Sequence, residues 1–212
     1  MTSRDLAALE WIGRHGLVTA PQTARHLGVP TNKAQSRLRV LKTNGLLAHR
    51  RVLHNEPGVY WAMREGLELA GLDLPVCPIS LGTYRHSLAA VDAAFAYESE
   101  GLRVLTEREL RREQAQSDSR FLLTVSGATH RPDLVAFTRA GPAAVEVELT
   151  HKGLRRLEAI LVAYRSAIAA ERIAYLAYLV RDEATRARIA ARAAAAFLDK
   201  NECRIGLVGE AL

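Results

Sequence analysis

The sequence predicts an α/β (more narrowly α+β) chain in two parts. A small helical domain closed by a β-hairpin comes first, and a larger mixed sheet flanked by helices follows. Three observations lead there. Apolar residues repeat at helical spacing through the first 45 positions, whereas from residue 102 onward short apolar strand-like runs alternate with helical stripes. Residues 73–79, Asp-Leu-Pro-Val-Cys-Pro-Ile, carry two prolines and no helical period, which marks a linker. Charge divides at nearly the same place. Residues 1–52 hold nine Lys/Arg against Asp5 and Glu10, while residues 53–212 are close to neutral, so the formal net charge of +6 resides in the first quarter of the chain. With 212 residues, 49% hydrophobic and 25% charged, the chain is long enough for two small cores and unlike a disordered one.

In the first domain, residues 1–72, Leu6, Leu9 and Ile12 with Trp11 form an amphipathic helix over 4–15, stopped by Gly16. Thr19 is a candidate N-cap with Pro21 in the first turn of a second, short helix ending at Gly28-Val29-Pro30. A third helix, from Thr31 to Asn44, turns Ala34, Leu38 and Leu41 inward. Its outer faces then carry Asn32, Lys33, Gln35, Ser36, Arg37, Arg39 and Lys42. Two strands, 46–54 and 59–62, flank Asn55-Glu56-Pro57-Gly58, with His49, Arg50, Arg51 and His54 on the hairpin. Helix, tight turn, helix and hairpin in this order make a winged helix-turn-helix. Between Pro21 and His54 there are seven basic residues and no acidic one. Asn and Gln suit adenine, Arg suits guanine, and Lys, Ser and the hairpin's Arg50 and Arg51 suit phosphates. The expected partner is double-stranded DNA. The bland reading of the same residues is a solvated helix face beside an ordinary hairpin, and some winged helices bind protein instead.

In the second domain, residues 80–212, a helix over 80–98 carries Leu81, Tyr84, Leu88, Val91 and Phe95 as a stripe, for a core or for a second copy of the chain. Strands are expected at 102–106, within 121–125, and at 133–137, 143–149, 173–180 and 205–208. Helices are expected at 154–170 and 183–198, and the polar stretch 111–120 reads as a loop or flexible hairpin. Within the strand at 143–149, Glu146 and Glu148 share one face. Pairing across the turn at 139–142 brings Asp133 close to them. Three clustered carboxylates form a hard-oxygen site suited to Mg²⁺ or Mn²⁺, which would activate water against a phosphodiester, with Lys152 stabilising the developing charge. His130 and His151 flank the cluster as candidate ligands or bases, and Glu107 or Glu109 is a further candidate carboxylate. Alternatively, Glu146 and Glu148 pair with Arg131, Arg155 or Arg156 on an open sheet face.

The pattern Pro132-Asp133 … Glu146-Val147-Glu148, with its order of elements, resembles the PD-(D/E)xK nuclease-like fold. The resemblance implies a restriction-endonuclease-like sheet with Asp133 and Glu146 as metal ligands. It places Glu148 where that family usually has its catalytic Lys. Glu also occupies that position in some restriction enzymes of the superfamily, and Lys152 stands where a migrated Lys would. Over nearly the whole chain, the sequence also looks like the replication-relaxation family of bacterial plasmids and other mobile elements. The motifs are the N-terminal winged helix, Arg64-Glu-Gly-Leu-Glu-Leu-Ala-Gly-Leu72, Thr106-Glu-Arg-Glu-Leu-Arg111, His130-Arg-Pro-Asp-Leu-Val135 and Val145-Glu-Val-Glu-Leu-Thr-His-Lys152. That resemblance implies DNA binding connected with plasmid replication or transfer.

The leading expectation is therefore a cytoplasmic DNA-binding protein whose nuclease-like domain serves dimerisation or a partner contact, with metal binding as an addition. An active Mg²⁺-dependent DNA endonuclease and a protein-interaction module are the alternatives. A homodimer is expected from symmetric DNA binding. The first ten residues lack the apolar core of a leader, and the longest apolar run, Ile173–Val180, is too short to span a membrane. Two distant cysteines predict no disulfide framework, and no catalytic triad, Walker loop or dinucleotide fingerprint occurs.

Overall fold

The computed structural model describes residues 2–116, 120–150 and 153–212. It is an α+β chain of two compact units, Met1–Val91 and Asp92–Leu212.

In the first unit, α1 (Ser3–His15) is opened by a capping box in which Thr2 and Asp5 satisfy each other's backbone amides. The two-residue strand β1 (Val18–Thr19) leads into α2 (Ala20–Leu27). Here Thr19 caps the helix, Gln22 completes the box and left-handed Gly28 ends it. α3 (Thr31–Thr43) begins after Pro30 without a side-chain cap and buries Ala34, Leu38 and Leu41. The hairpin strands β2 (Leu47–Arg50) and β3 (Val59–Ala62) pair antiparallel, and β1 joins the free edge of β3 in the order β1-β3-β2. The short helix α4 (Arg64–Leu69) follows. Leu9, Ile12, Leu38, Leu41 and Leu67 form the core beneath these elements.

Residues 73–79 are not a free linker. Leu74 is buried in that core, and Cys77 and Ile79 pack around Leu17, Val59 and Tyr84. The division between units falls instead within α5 (Tyr84–Ser99), whose Val91 still belongs to the first core. The reason is apolar content: the prolines stop a helix, but Leu74, Val76 and Ile79 still need cover. The helix also starts at Tyr84 rather than at 80, so Leu81 is exposed and outside any stripe.

The second unit centres on a five-stranded sheet ordered β10-β9-β8-β7-β4. β7 (Leu134–Thr138) pairs antiparallel with β4 (Arg103–Thr106) on one side and with β8 (Gly141–Glu148) on the other. β9 (Tyr175–Val180) and β10 (Cys203–Leu207) continue the sheet in parallel with β8. The crossovers between the parallel strands are α7 (Leu154–Ala169) and α8 (Glu183–Ala195). Every residue of β9 is buried, as its uninterrupted apolar run requires.

Two stretches differ from the sequence expectation. Much of the polar segment 111–120 is helical, because α6 (Glu107–Gln116) is nucleated by a capping box: the Thr106 amide and hydroxyl donate to Glu109, and the Glu109 amide donates back to Thr106 Oγ1. Its one apolar anchor, Leu110, is fully buried. After it, β5 (Leu123–Val125) and β6 (Ala128–His130) form a separate hairpin. Its two-residue turn, Ser126-Gly127, has positive φ at both positions, as a type I′ turn demands. Among the described residues, no helix is long and apolar enough to cross a membrane.

Candidate functional site

Two groups of side chains carry chemistry, one in each unit. In the first unit, α3 presents Asn32, Lys33, Gln35, Ser36, Arg39 and Lys42 to solvent, and the hairpin presents Arg50 and Arg51. The hairpin is braced so that its charges meet those of α3. His49 of β2 lies opposite Tyr60 of β3, with ring centroids 4.4 Å apart. A Cβ on Gly58 would collide with the His49 ring, so that position admits only glycine while the ring stays in place. Burial pushes His49 below its ordinary value, and the neighbouring charges of Lys42 and Arg51 push it the same way. Burial raises the Tyr60 hydroxyl, while Arg39 pulls it down. Arg39 and Lys42 of α3 and Arg51 of the hairpin thus act on one pair of contacting rings. The hairpin tip is fastened as well: Tyr84 donates to the Pro57 carbonyl at 3.2 Å, and Arg85 pairs with Glu56 at 2.9 Å.

Arg37 is placed differently from the other basic residues of α3. It is half-buried and turned towards α1, where Nη1 donates to the Asp5 carboxylate and, at 3.0 Å, to Thr2 Oγ1. Burial of Asp5 opposes its ionisation, but the hydrogen bonds from Thr2 and Arg37 outweigh that and hold its carboxyl below the ordinary range. Arg37 therefore joins α3 to α1, a role its position on a basic helix face conceals.

In the second unit the carboxylates lie inside the protein. Glu146 and Glu148 are each 2% exposed, on the same face of β8 as Ala144 and therefore beneath α7. The open sheet face expected as an alternative is absent at this point, because α7 covers it. Glu146 Oε1 accepts from the Tyr164 hydroxyl at 2.6 Å and contacts His130 Nε2 at 2.7 Å. Burial drives the Tyr164 hydroxyl well above its usual value, and the Glu146 carboxylate adds to this, so Tyr164 remains a donor. Asp133 accepts the Val147 amide at 2.7 Å and so fastens the start of β7 to β8. Asp133, Glu146 and Glu148 are close enough that all three raise the buried Tyr178 hydroxyl, after burial itself. Sequence placed Tyr164 and Tyr178 among the apolar residues. The usable signal was the hydroxyl: a tyrosine deep in an apolar stripe needs a buried acceptor.

The remaining candidates are elsewhere. Arg131 donates to Gln114 of α6, Glu109 caps α6 and Glu107 pairs with Arg111. Arg155 and Arg156 are exposed on the first turn of α7 and line a cavity together with His130. Lys152 and His151 lie outside the described residues. Among the described residues, no three His, Cys, Asp or Glu side chains are placed to hold a metal ion together. The donor chemistry agrees, since Glu146 and Asp133 already spend carboxylate oxygens on Tyr164, His130 and the β8 backbone. As arranged, this set does not fit Mg²⁺ or Mn²⁺. No family model, curated protein or solved structure matches the chain.

Proposed function

We propose that the chain is a cytoplasmic, double-stranded-DNA-binding protein of the replication-relaxation type, in which α3 enters the major groove and the β2–β3 hairpin holds flanking phosphates. The observation that carries this reading is that Asn32, Lys33, Gln35, Ser36, Arg39 and Lys42 of α3 and Arg50 and Arg51 of the hairpin are all exposed. A helix of 13 residues is about 20 Å long, enough to lie along the groove. Asn32, Lys33, Gln35, Ser36 and Arg39 contact bases or their adjoining phosphates, and Arg37 holds the helix rather than the DNA. The second unit serves partner contact or homodimerisation.

Binding of a selected duplex, measured by fluorescence anisotropy at increasing salt, falls with a log–log slope of about −0.9 per neutralised phosphate. Arg39→Ala weakens specific binding by about 1–3 kcal/mol if the guanidinium reads a base. Salt-independent binding would instead favour a protein-binding winged helix.

A second reading, a metal-dependent endonuclease, draws on the convergence of Asp133, Glu146 and Glu148 on Tyr178. Because Asp133 and Glu146 already accept hydrogen bonds within the protein, supercoiled plasmid incubated with Mg²⁺ or Mn²⁺ is expected to remain supercoiled. Cleavage that disappears in Asp133→Ala/Glu146→Ala would reverse that assignment.

A further inference from the structure

A cavity of about 390 Å³ opens between the β5–β6 hairpin and the first turns of α7. Arg155 and Arg156 supply two guanidinium groups to its wall, and Ser126 and Thr129 of the hairpin also border it. Neither arginine pairs with an acidic side chain among the described residues, and none of the described lining residues is acidic. The remaining wall, Val125, Ala128 and Ile160, is apolar. At the inner end stands His130, whose Nε2 is engaged by Glu146 and whose ring packs edge-on to Tyr164 at 5.9 Å. The ring is thereby fixed in place while still facing the cavity.

We infer that this cavity binds a terminal phosphate carried on a nucleotide-sized group, through Arg155 and Arg156. A phosphate monoester carries close to two negative charges and three acceptor oxygens at neutral pH, which two guanidiniums match in charge and can engage with paired N–H donors. The volume exceeds what a bare ion needs and lies in the range of small-ligand pockets, and the apolar wall gives a base or sugar a surface to lie on. The same chemistry is offered by a free mononucleotide and by the 5′-phosphorylated end of a DNA strand. The inference does not depend on what the first unit binds.

The test uses the full chain and three comparisons by titration calorimetry and anisotropy. Deoxyadenosine monophosphate is expected to bind saturably and at least tenfold more tightly than deoxyadenosine. Arg155→Ala/Arg156→Ala is expected to weaken that binding tenfold or more with an unchanged melting temperature, since both side chains are exposed. Ala128→Trp, at an exposed hairpin position, should abolish it by filling the space. A labelled oligonucleotide bound more tightly with a 5′-phosphate than with a 5′-hydroxyl identifies the strand end as the source. Equal binding of the two oligonucleotides, with the mononucleotide still bound, identifies the free nucleotide. Equal affinity for the nucleotide and the nucleoside, no binding of either, or wild-type affinity in the folded double-Ala variant would overturn the inference.

Discussion

Arg37 shows how a single acidic neighbour reassigns a residue. By composition it belongs with the other cations of α3, yet Asp5 and Thr2, 32 and 35 positions away, hold it against α1. Such a contact is invisible to local spacing, because nothing in the stretch 31–43 announces which cation will meet the one carboxylate of the α1 capping box. It has a pH signature. The Asp5 carboxyl is held below its ordinary value in the folded protein, so its contribution to stability is fully present above the ordinary Asp pKa and is lost as pH falls through the folded value. Asp5→Asn should therefore be less stable than wild type near neutrality, and the gap should narrow as urea denaturation is repeated towards pH 2. A gap constant with pH would show that Asp5 contributes by shape alone. The buried tyrosines follow the same logic. Their helical or strand positions were legible, but the acceptor of Tyr164 on β8, Glu146, was not, since that contact joins elements whose pairing the sequence leaves open.

At the scale of elements, periodicity did most where one face is apolar and the other is not. α1, α2, α3, α7 and β9 lie close to where their spacing puts them. The misread stretch was α6, which is so polar that only Leu110 marks an inner face. Thr106-Glu-Arg-Glu109 nevertheless carries a capping-box signature, and Ser126-Gly127 a two-residue hairpin signature. Local hydrogen-bonding chemistry was thus more informative than hydrophobicity in both cases. Thr106→Ala removes the hydroxyl that accepts the Glu109 amide and so should cost about 0.5–2 kcal/mol of stability, read from the urea midpoint. An unaltered midpoint would mean that Leu110 alone keeps α6 in place. The candidate site in the second unit was legible in its members and not in its arrangement. Alternation put Glu146 and Glu148 on one face, but it carries no information on which layer covers that face, and the cover decides whether carboxylates meet solvent or Tyr164.

For the whole molecule, the charge split and the α+β class were available from the chain alone, whereas the boundary between units was not. Proline and loss of period identify where helices stop, but a segment without regular structure still belongs to whichever core its apolar side chains complete. Leu74 is buried at 3% exposure and Val91 at 2%, both within the first core. Anyone dividing this molecule for separate study meets the consequence at once. A fragment cut after residue 72 would leave the surfaces around Leu9, Trp11 and Leu67 bare where Leu74 and Val91 should lie, whereas one carried to residue 99 keeps its own cover. The shorter piece should melt at lower temperature and aggregate, followed through the fluorescence of Trp11 and Trp61, while the longer piece unfolds cooperatively. Equal melting of the two would place the first unit's end at residue 72. The scissors belong after α5, since Val91 of that helix completes the first core.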